Sequence, residues 1–171
     1  VLWGRRELLD AMPPYHVGSN MAHGVEFDRA EFEPGARKFQ AGTPDVAGPV
    51  GLAAAIRFFE EAGTDAWSRH DQTLVTHGLE RLAGIPRLRL IGPPNAADRV
   101  PVFTFVIEGR TSMSVARALD AQGIAVRAGD MAALPLLKRF GSSDAIRASA
   151  YVYSSLQDLD RLVDALRGIA R

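Results

Sequence analysis

Arg127 and Arg147 are the side chains whose surroundings best suit chemistry, and the chemistry is recognition of an anion. Arg127 lies in Gly123-Ile124-Ala125-Val126-Arg127-Ala128-Gly129, where a short apolar run hands the chain to a glycine turn. A residue leaving a strand is held rigidly while its tip stays accessible, although spacing alone fits a surface arginine capping a strand better. Arg147 stands in Ile146-Arg147-Ala148-Ser149-Ala150, flanked by apolar and small residues. A guanidinium in such a neighbourhood needs an anionic partner, because its charge is not buried alone. A bound carboxylate would serve, and so would an internal ion pair with Asp130 or Asp144. A third stretch, Phe39-Gln40-Ala41-Gly42-Thr43-Pro44-Asp45, precedes a helix. Its glycine, its hydroxyl and the free donors of the helix start could cradle a phosphate or carboxylate. Gly-Thr-Pro-Asp is also an ordinary turn and cap, which is the more frequent meaning of such a match.

No general acid and base converge beside these groups. There is no nucleophile elbow, no paired-histidine zinc motif and no dinucleotide-binding glycine fingerprint. The lysines, Lys38 and Lys138, sit in contexts that do not suggest the desolvation a Schiff-base lysine requires. His70 and His77 lie seven residues apart on one helical stretch, too far apart to ligate one metal directly, and read as packing histidines. The sequence contains no cysteine, which rules out disulfides, thiolate metal sites and a cysteine nucleophile in this chain.

The elements that must carry these residues follow from periodicity. Arg5 to Met12 reads as a short helix stopped by Pro13-Pro14, and Tyr15 to Gly35 as a loop or hairpin extension. Helices are expected from about Val50 to Ala62 and from a Thr64 or Asp65 cap to about Ala83; in the second, Trp67, Leu74, Val75, Leu79 and Leu82 keep the helical period. Leu88 to Ile91 and Val102 to Ile107 read as strands, the latter β-branched and aromatic. Thr111 or Ser112 caps a helix through Ala121, Ile124 to Arg127 returns as a strand, and Ala132 to Arg139 is a short helix. Ala145 to Val152 is the last strand. Ser155 and Asp158 then form a capping box before a helix that buries Leu159, Leu162, Val163, Leu166 and Ile169. The C-terminal half is expected to be a small mixed or antiparallel sheet covered by helices, an α+β layer.

With 171 residues, 47% hydrophobic and 23% charged, the chain is long enough to bury a core. Zero formal net charge gives no bulk field to attract nucleic acid or an anionic membrane, and no apolar run approaches the length of a membrane span. Cytoplasm is the default compartment for such a composition. Val1-Leu2-Trp3-Gly4 reads like a strand end turning at a glycine, as though the sequence starts inside a longer protein.

Phe39 to Asp45, Gly123 to Gly129, and Ile146-Arg147-Ala148-Ser149 followed by Tyr153 together resemble the C-terminal part of cysteine desulfurases and selenocysteine lyases. These are pyridoxal-phosphate (PLP) enzymes of the class V aminotransferase type, and the likeness spans nearly the whole chain. It implies two segments: residues 1–62 as the tail of a cofactor domain with a hairpin extension and a linker helix, and 63–171 as a small C-terminal α+β domain. It further implies a homodimer in which Gly42 and Thr43 reach the neighbouring subunit's cofactor phosphate. Arg147 would hold the α-carboxylate of a small amino-acid substrate, with Arg127 a second arginine on the substrate side. In the sulfur-transferring members a cysteine receives sulfur as a persulfide at the position held here by Ala132, so persulfide formation is not expected of this chain. The Schiff-base lysine is expected before Val1, so the chain alone should neither hold PLP covalently nor turn over. The parent expected is a selenocysteine-lyase-like or cysteine-sulfinate-type lyase, an epimerase or an aminotransferase. The alternative of another class is a non-catalytic α+β module that binds small carboxylates or dimerises.

Overall fold

The computed structural model describes residues 1–171 as two compact units, Val1–Phe59 and Glu60–Arg171. In the first unit, helix α1 (Arg6–Ala11) ends where Met12 turns extended ahead of Pro13, as the proline pair dictates. Lys38 ties off that end, its Nζ donating to the carbonyls of Asp10 and Met12. Strands β1 (Ala22–Val25) and β2 (Ala30–Phe32) pair antiparallel, so the expected loop or hairpin extension is a hairpin. The register shifts between Ala22 and Gly24, and His23 in the resulting bulge lies within 3.6 Å of Glu31 and Glu33. A 3-10 turn (Gly35–Phe39) leads to helix α2 (Ala47–Ala62), which buries none of its residues and leaves Val50, Leu52 and Ile56 exposed.

In the second unit, helix α3 (Thr64–Ala83) precedes β3 (Leu88–Ile91) and β4 (Val102–Ile107). Helix α4 (Ser112–Asp120), β5 (Arg127–Gly129), α5 (Leu134–Arg139), β6 (Ala145–Ser149) and α6 (Leu156–Ile169) follow. The sheet runs β3-β4-β6-β5 with every neighbour antiparallel. Alternation along β4 divides the strand between two faces. Phe103, Phe105 and Ile107 join Ile146, Ala148 and the buried sides of α3, α4 and α6 in the main core, while Ile91, Ala145 and Val106 meet Leu137 of α5 on the other face. Gly78 of α3 is where the backbone meets the sheet most closely: a Cβ there would run into the Phe103 ring. Ser155 and Asp158 form the expected capping box.

Helix α2 begins at Ala47 instead of about Val50, and four further boundaries shift, each for a local reason. Gly63 at φ +82°, with no side-chain cap, starts α3 in place of Thr64 or Asp65. The strand expected over Ile124 to Arg127 begins only at Arg127. Gly123 (φ +71°) donates to Asp120 O and Ile124 to Leu119 O, the paired bonds of a Schellman closure, so the apolar run anchors the end of α4. The helix expected from Ala132 begins at Leu134, because Met131 (φ +53°) and Ala132 (φ +56°) are left-handed. The last strand stops at Ser149 rather than Val152: Ala150 donates to Pro101 O, and the chain then turns through Tyr151 to Ser154.

Candidate functional site

The two arginines come together. Across the sheet of the second unit, Ile91 pairs with Thr104, Thr104 with Arg147, and Arg147 with Arg127. Directly opposed residues of an antiparallel ladder share a face, so these four form one transverse row on the side away from the α3–α4–α6 core. Arg147 is half-buried, and its Nε is buried without a hydrogen-bond partner. Arg127, on the edge strand, is exposed. Neither internal ion pair left open by the sequence forms: Asp144 accepts from the Ser112 N–H and Asp130 from the Ala132 N–H, and the ion pairs of the chain involve other arginines. Two arginines thus occupy directly opposed strand positions, and neither forms an ion pair with a carboxylate of the chain.

A concavity of about 350 Å³ opens beside Arg147 and Thr104, walled by Ile91, Pro93, Met131, Leu137 and Phe140. Its rim at Ile91 to Pro93 is tied by Arg99, whose guanidinium donates to the carbonyls of Ile91, Pro93 and Val102 at 2.7–3.2 Å. Burial lowers the Arg99 pKa from its usual value, yet arginine remains charged and serves here as a three-carbonyl staple. The other rim is the turn Gly129 to Ala133, closed by the Asp130 side chain on Ala132 N–H and the Asp130 carbonyl on Ala133 N–H. Two consecutive left-handed non-glycine residues are uncommon and carry strain of order 1 kcal/mol each, so the turn places Ala132, which is exposed, by construction and not by helix propensity.

The first unit holds the Gly42-Thr43 stretch. Gly42 adopts φ +85°, and its N–H donates to Ser19 O at 2.8 Å, so it contributes a turn and no free donor. Thr43 is exposed on a concavity of about 780 Å³ shared with Phe39, Asp45, Pro49, Leu52 and Ile56. At the start of α2, the Asp45 carboxylate accepts from the Gly48 N–H. That bond occupies a first-turn donor and sets a negative charge where an anion would bind, so the helix start itself is no cradle. The Thr43 side chain is what this stretch can offer a phosphate.

The histidines behave as packing residues with polar partners. His70 Nε2 lies 3.1 Å from Ser154 O, and His77 Nε2 lies 2.9 Å from Asp160 Oδ1, which also accepts from Arg81 Nε at 3.0 Å. Hydrogen bonding from His77 is the main cause that holds the Asp160 carboxyl below its ordinary value. No cluster of histidine and carboxylate suited to a metal occurs, and no helix is long and apolar enough to cross a membrane.

Sequence reading passed over Thr104 and Arg99. Thr104 had a signal, being the polar residue in Val102-Phe103-Thr104-Phe105-Val106-Ile107 and out of phase with both phenylalanines. Arg99 had none, since its role depends on three carbonyls brought together by the β3–β4 turn.

A family model described as aminotransferase class-V matches residues 1–162. The chain is 40% identical over 169 residues to a cysteine desulfurase of Synechococcus elongatus, covering 99% of this chain and 27% of that protein. It is likewise 40% identical over 169 residues to a probable cysteine desulfurase of Streptomyces coelicolor, covering 99% and 40%. Among solved structures, a cysteine desulfurase from Thermococcus onnurineus superposes with TM-score 0.90 at 31% identity over 97% of this chain and 41% of that one. The chain therefore spans about two fifths or less of these relatives' lengths. The C-DES protein with glycine covalently linked to its PLP cofactor superposes with TM-score 0.70 at 17% identity, covering 95% of this chain and 40% of that one, a likeness of fold.

Proposed function

The chain belongs to the aminotransferase class-V family, and from that premise we propose that it supplies the substrate-recognition side of a PLP-dependent lyase or transferase acting on a small amino acid. Arg147 holds the α-carboxylate. The observation that carries this reading is the half-buried Arg147 guanidinium, its Nε unpartnered, at the mouth of an apolar concavity and with no carboxylate of the chain to neutralise it. A bidentate carboxylate is the partner its planar fork accommodates.

The residues present do not compose a PLP site of their own. Lys38 is tied to two carbonyls, Lys138 is exposed on α5, and Asp45 opposes a phosphate at the α2 start. In this proposal the catalytic lysine comes from elsewhere in the enzyme, and Thr43, presented by the Gly42 turn, touches a phosphate held by a second copy. The proposal therefore carries a homodimer. Cytoplasmic residence accompanies the proposal. Ala132 carries no thiol, and no other residue of this chain is a cysteine, so the proposed chemistry assigns no persulfide relay to these residues. A selenocysteine-lyase-like or other β-lyase reaction, epimerisation and transamination all remain within the class.

The test is calorimetric titration of L-alanine into the chain. Saturable binding that Arg147→Gln abolishes supports the clamp. Binding of equal affinity in both proteins would reject it. The second reading, a non-catalytic carboxylate-binding module, rests on the Arg147 concavity alone. It predicts the same binding but no absorbance of a bound cofactor in the intact protein supplied with PLP.

A further inference from the structure

We propose that Arg87, Arg89 and Arg110, at one end of the second unit's sheet, form a binding site for a compact polyanion, and that a diphosphate group is the chemical class it suits. All three are exposed and line one concavity of about 530 Å³. That concavity shares no lining residue with the one beside Arg147, so the inference does not depend on the carboxylate clamp.

The β3–β4 pairing brings these residues together. Arg89 pairs with Val106 and Leu88 with Ile107. One step further along, the Glu108 N–H donates to Arg87 O at 2.9 Å, and the Arg110 N–H donates back to Ile107 O at 3.1 Å, which closes the turn into α4. Two backbone features serve to place Arg87. It adopts φ +64°, a left-handed conformation that disfavours residues with a side chain. Gly109 at φ +78° leaves open the space that the guanidinium fills, since a Cβ there would lie 2.9 Å from Arg87 Nη2. A charge that only solvates the surface needs neither feature.

The charge balance of the concavity supplies the second argument. None of these arginines takes part in the ion pairs of the chain. Asp144 and Glu108 share the lining. The Asp144 carboxylate accepts from the Ser112 N–H at the start of α4, where the helix dipole favours a negative charge, and is thereby engaged. Glu108 is exposed and pairs with none of the arginines. The concavity therefore carries surplus positive charge on a chain whose formal net charge is zero. Guanidinium forks take phosphoryl oxygens in bidentate fashion. A diphosphate offers enough oxygens for several forks at once, and the volume lies within the roughly 300–1,000 Å³ common for small-ligand sites. An extended acidic peptide would suit cations set in a line better than cations set around one concavity.

The experiment titrates inorganic pyrophosphate calorimetrically into the chain at fixed low ionic strength, because salt screens exposed charges. Inorganic phosphate, ADP and a hexa-aspartate peptide are titrated in parallel. Pyrophosphate is expected to saturate and to bind about tenfold more tightly than phosphate, the scale of one added charge-assisted contact. Arg89→Gln and Arg110→Gln should each weaken it by about tenfold, and Glu108→Gln should tighten it by about threefold. Arg87→Gly should weaken binding while the melting temperature holds, because glycine suits the left-handed position. ADP binding at least as tight as that of pyrophosphate would make a nucleotide the source of the diphosphate, and weaker ADP binding would make it the free ion; either result supports the site. Absence of saturation, equal affinities for pyrophosphate and phosphate, or binding insensitive to Arg89→Gln and Arg110→Gln would overturn the proposal. Binding lost in Arg127→Gln would also overturn it, by moving the anion to the other arginine row. Tighter binding of hexa-aspartate than of pyrophosphate would overturn it in favour of an acidic segment of a partner protein.

Discussion

Arg147 faces Arg127 across the β5–β6 pairing and faces Thr104 across the β4–β6 pairing. One arginine is thereby set between a hydroxyl-bearing neighbour and a like charge. Nothing in the packing of the second unit needs that arrangement, and its main core lies on the opposite face. The row sets two like charges on neighbouring strands, a tension that costs stability wherever nothing neutralises it.

The tension makes a prediction about stability. Replacing Arg147 with Met removes a partly buried guanidinium whose Nε has no partner and whose cross-strand neighbour is another arginine. Apolar replacement of such a charge is commonly neutral or favourable. Urea unfolding should show Arg147→Met within about 1 kcal/mol of the parent, on the stable side if it differs. A large loss would mean that Arg147 is a structural residue.

Gly78 tests the core. Because a Cβ would meet the Phe103 ring, Gly78→Ala should destabilise the chain by about 1–3 kcal/mol, even though alanine is the better helix former. Stabilisation instead would show that α3 stands further from β4 than described.

Arg99 tests how the rim of the concavity is held. Arg99→Ala strands three carbonyls, those of Ile91, Pro93 and Val102, and should speed hydrogen exchange at residues 91–95 while slowing nothing on α6. Stability should fall by about 1–3 kcal/mol. Arg99→Lys should recover only part of this, since a point charge cannot replace the fork.

The Asp160 carboxylate gives a pH signature. Its pKa is depressed in the folded chain, first by the hydrogen bond from His77 and then by the charges of His77 and Arg81. A depressed folded pKa means that the unfolded state binds more protons at acid pH. The contribution is therefore fully present above the ordinary aspartate value of about 4 and is lost as pH falls through the lower folded value. Asp158, depressed by its bonds to Ser155, acts in the same direction. Thermal melts of Asp160→Asn should fall less steeply below about pH 4 than those of the parent. Parallel curves would remove Asp160 from the acid response.

Much of this was legible in the sequence, and the misses are specific. The β-branched and aromatic run Val102 to Ile107 was enough to assign β4, though not to divide its two faces, and the Ser155–Asp158 capping box read correctly. Ile124 to Val126 looked like a strand because apolar pattern does not distinguish pairing from the Schellman closure that consumes the Ile124 N–H. Ala132 looked helical by propensity, yet left-handed dihedrals at Met131 and Ala132 bend the chain there. At the site, each arginine was identifiable by its neighbours. Their opposition was not, because register between β5 and β6 is settled by strand pairing and leaves no trace in local composition. The Gly42-Thr43 cradle was only partly readable, since the sequence does not reveal that Ser19 and Asp45 already engage the nearby donors.

Whether Arg147 receives a ligand carboxylate is read by following the Arg147 Nε–H resonance while L-alanine is added to the isotopically labelled chain. A saturable shift of that resonance, with the Arg99 guanidinium unmoved, is the predicted result. An Arg147 signal that stays in place while the ligand saturates elsewhere would contradict the account.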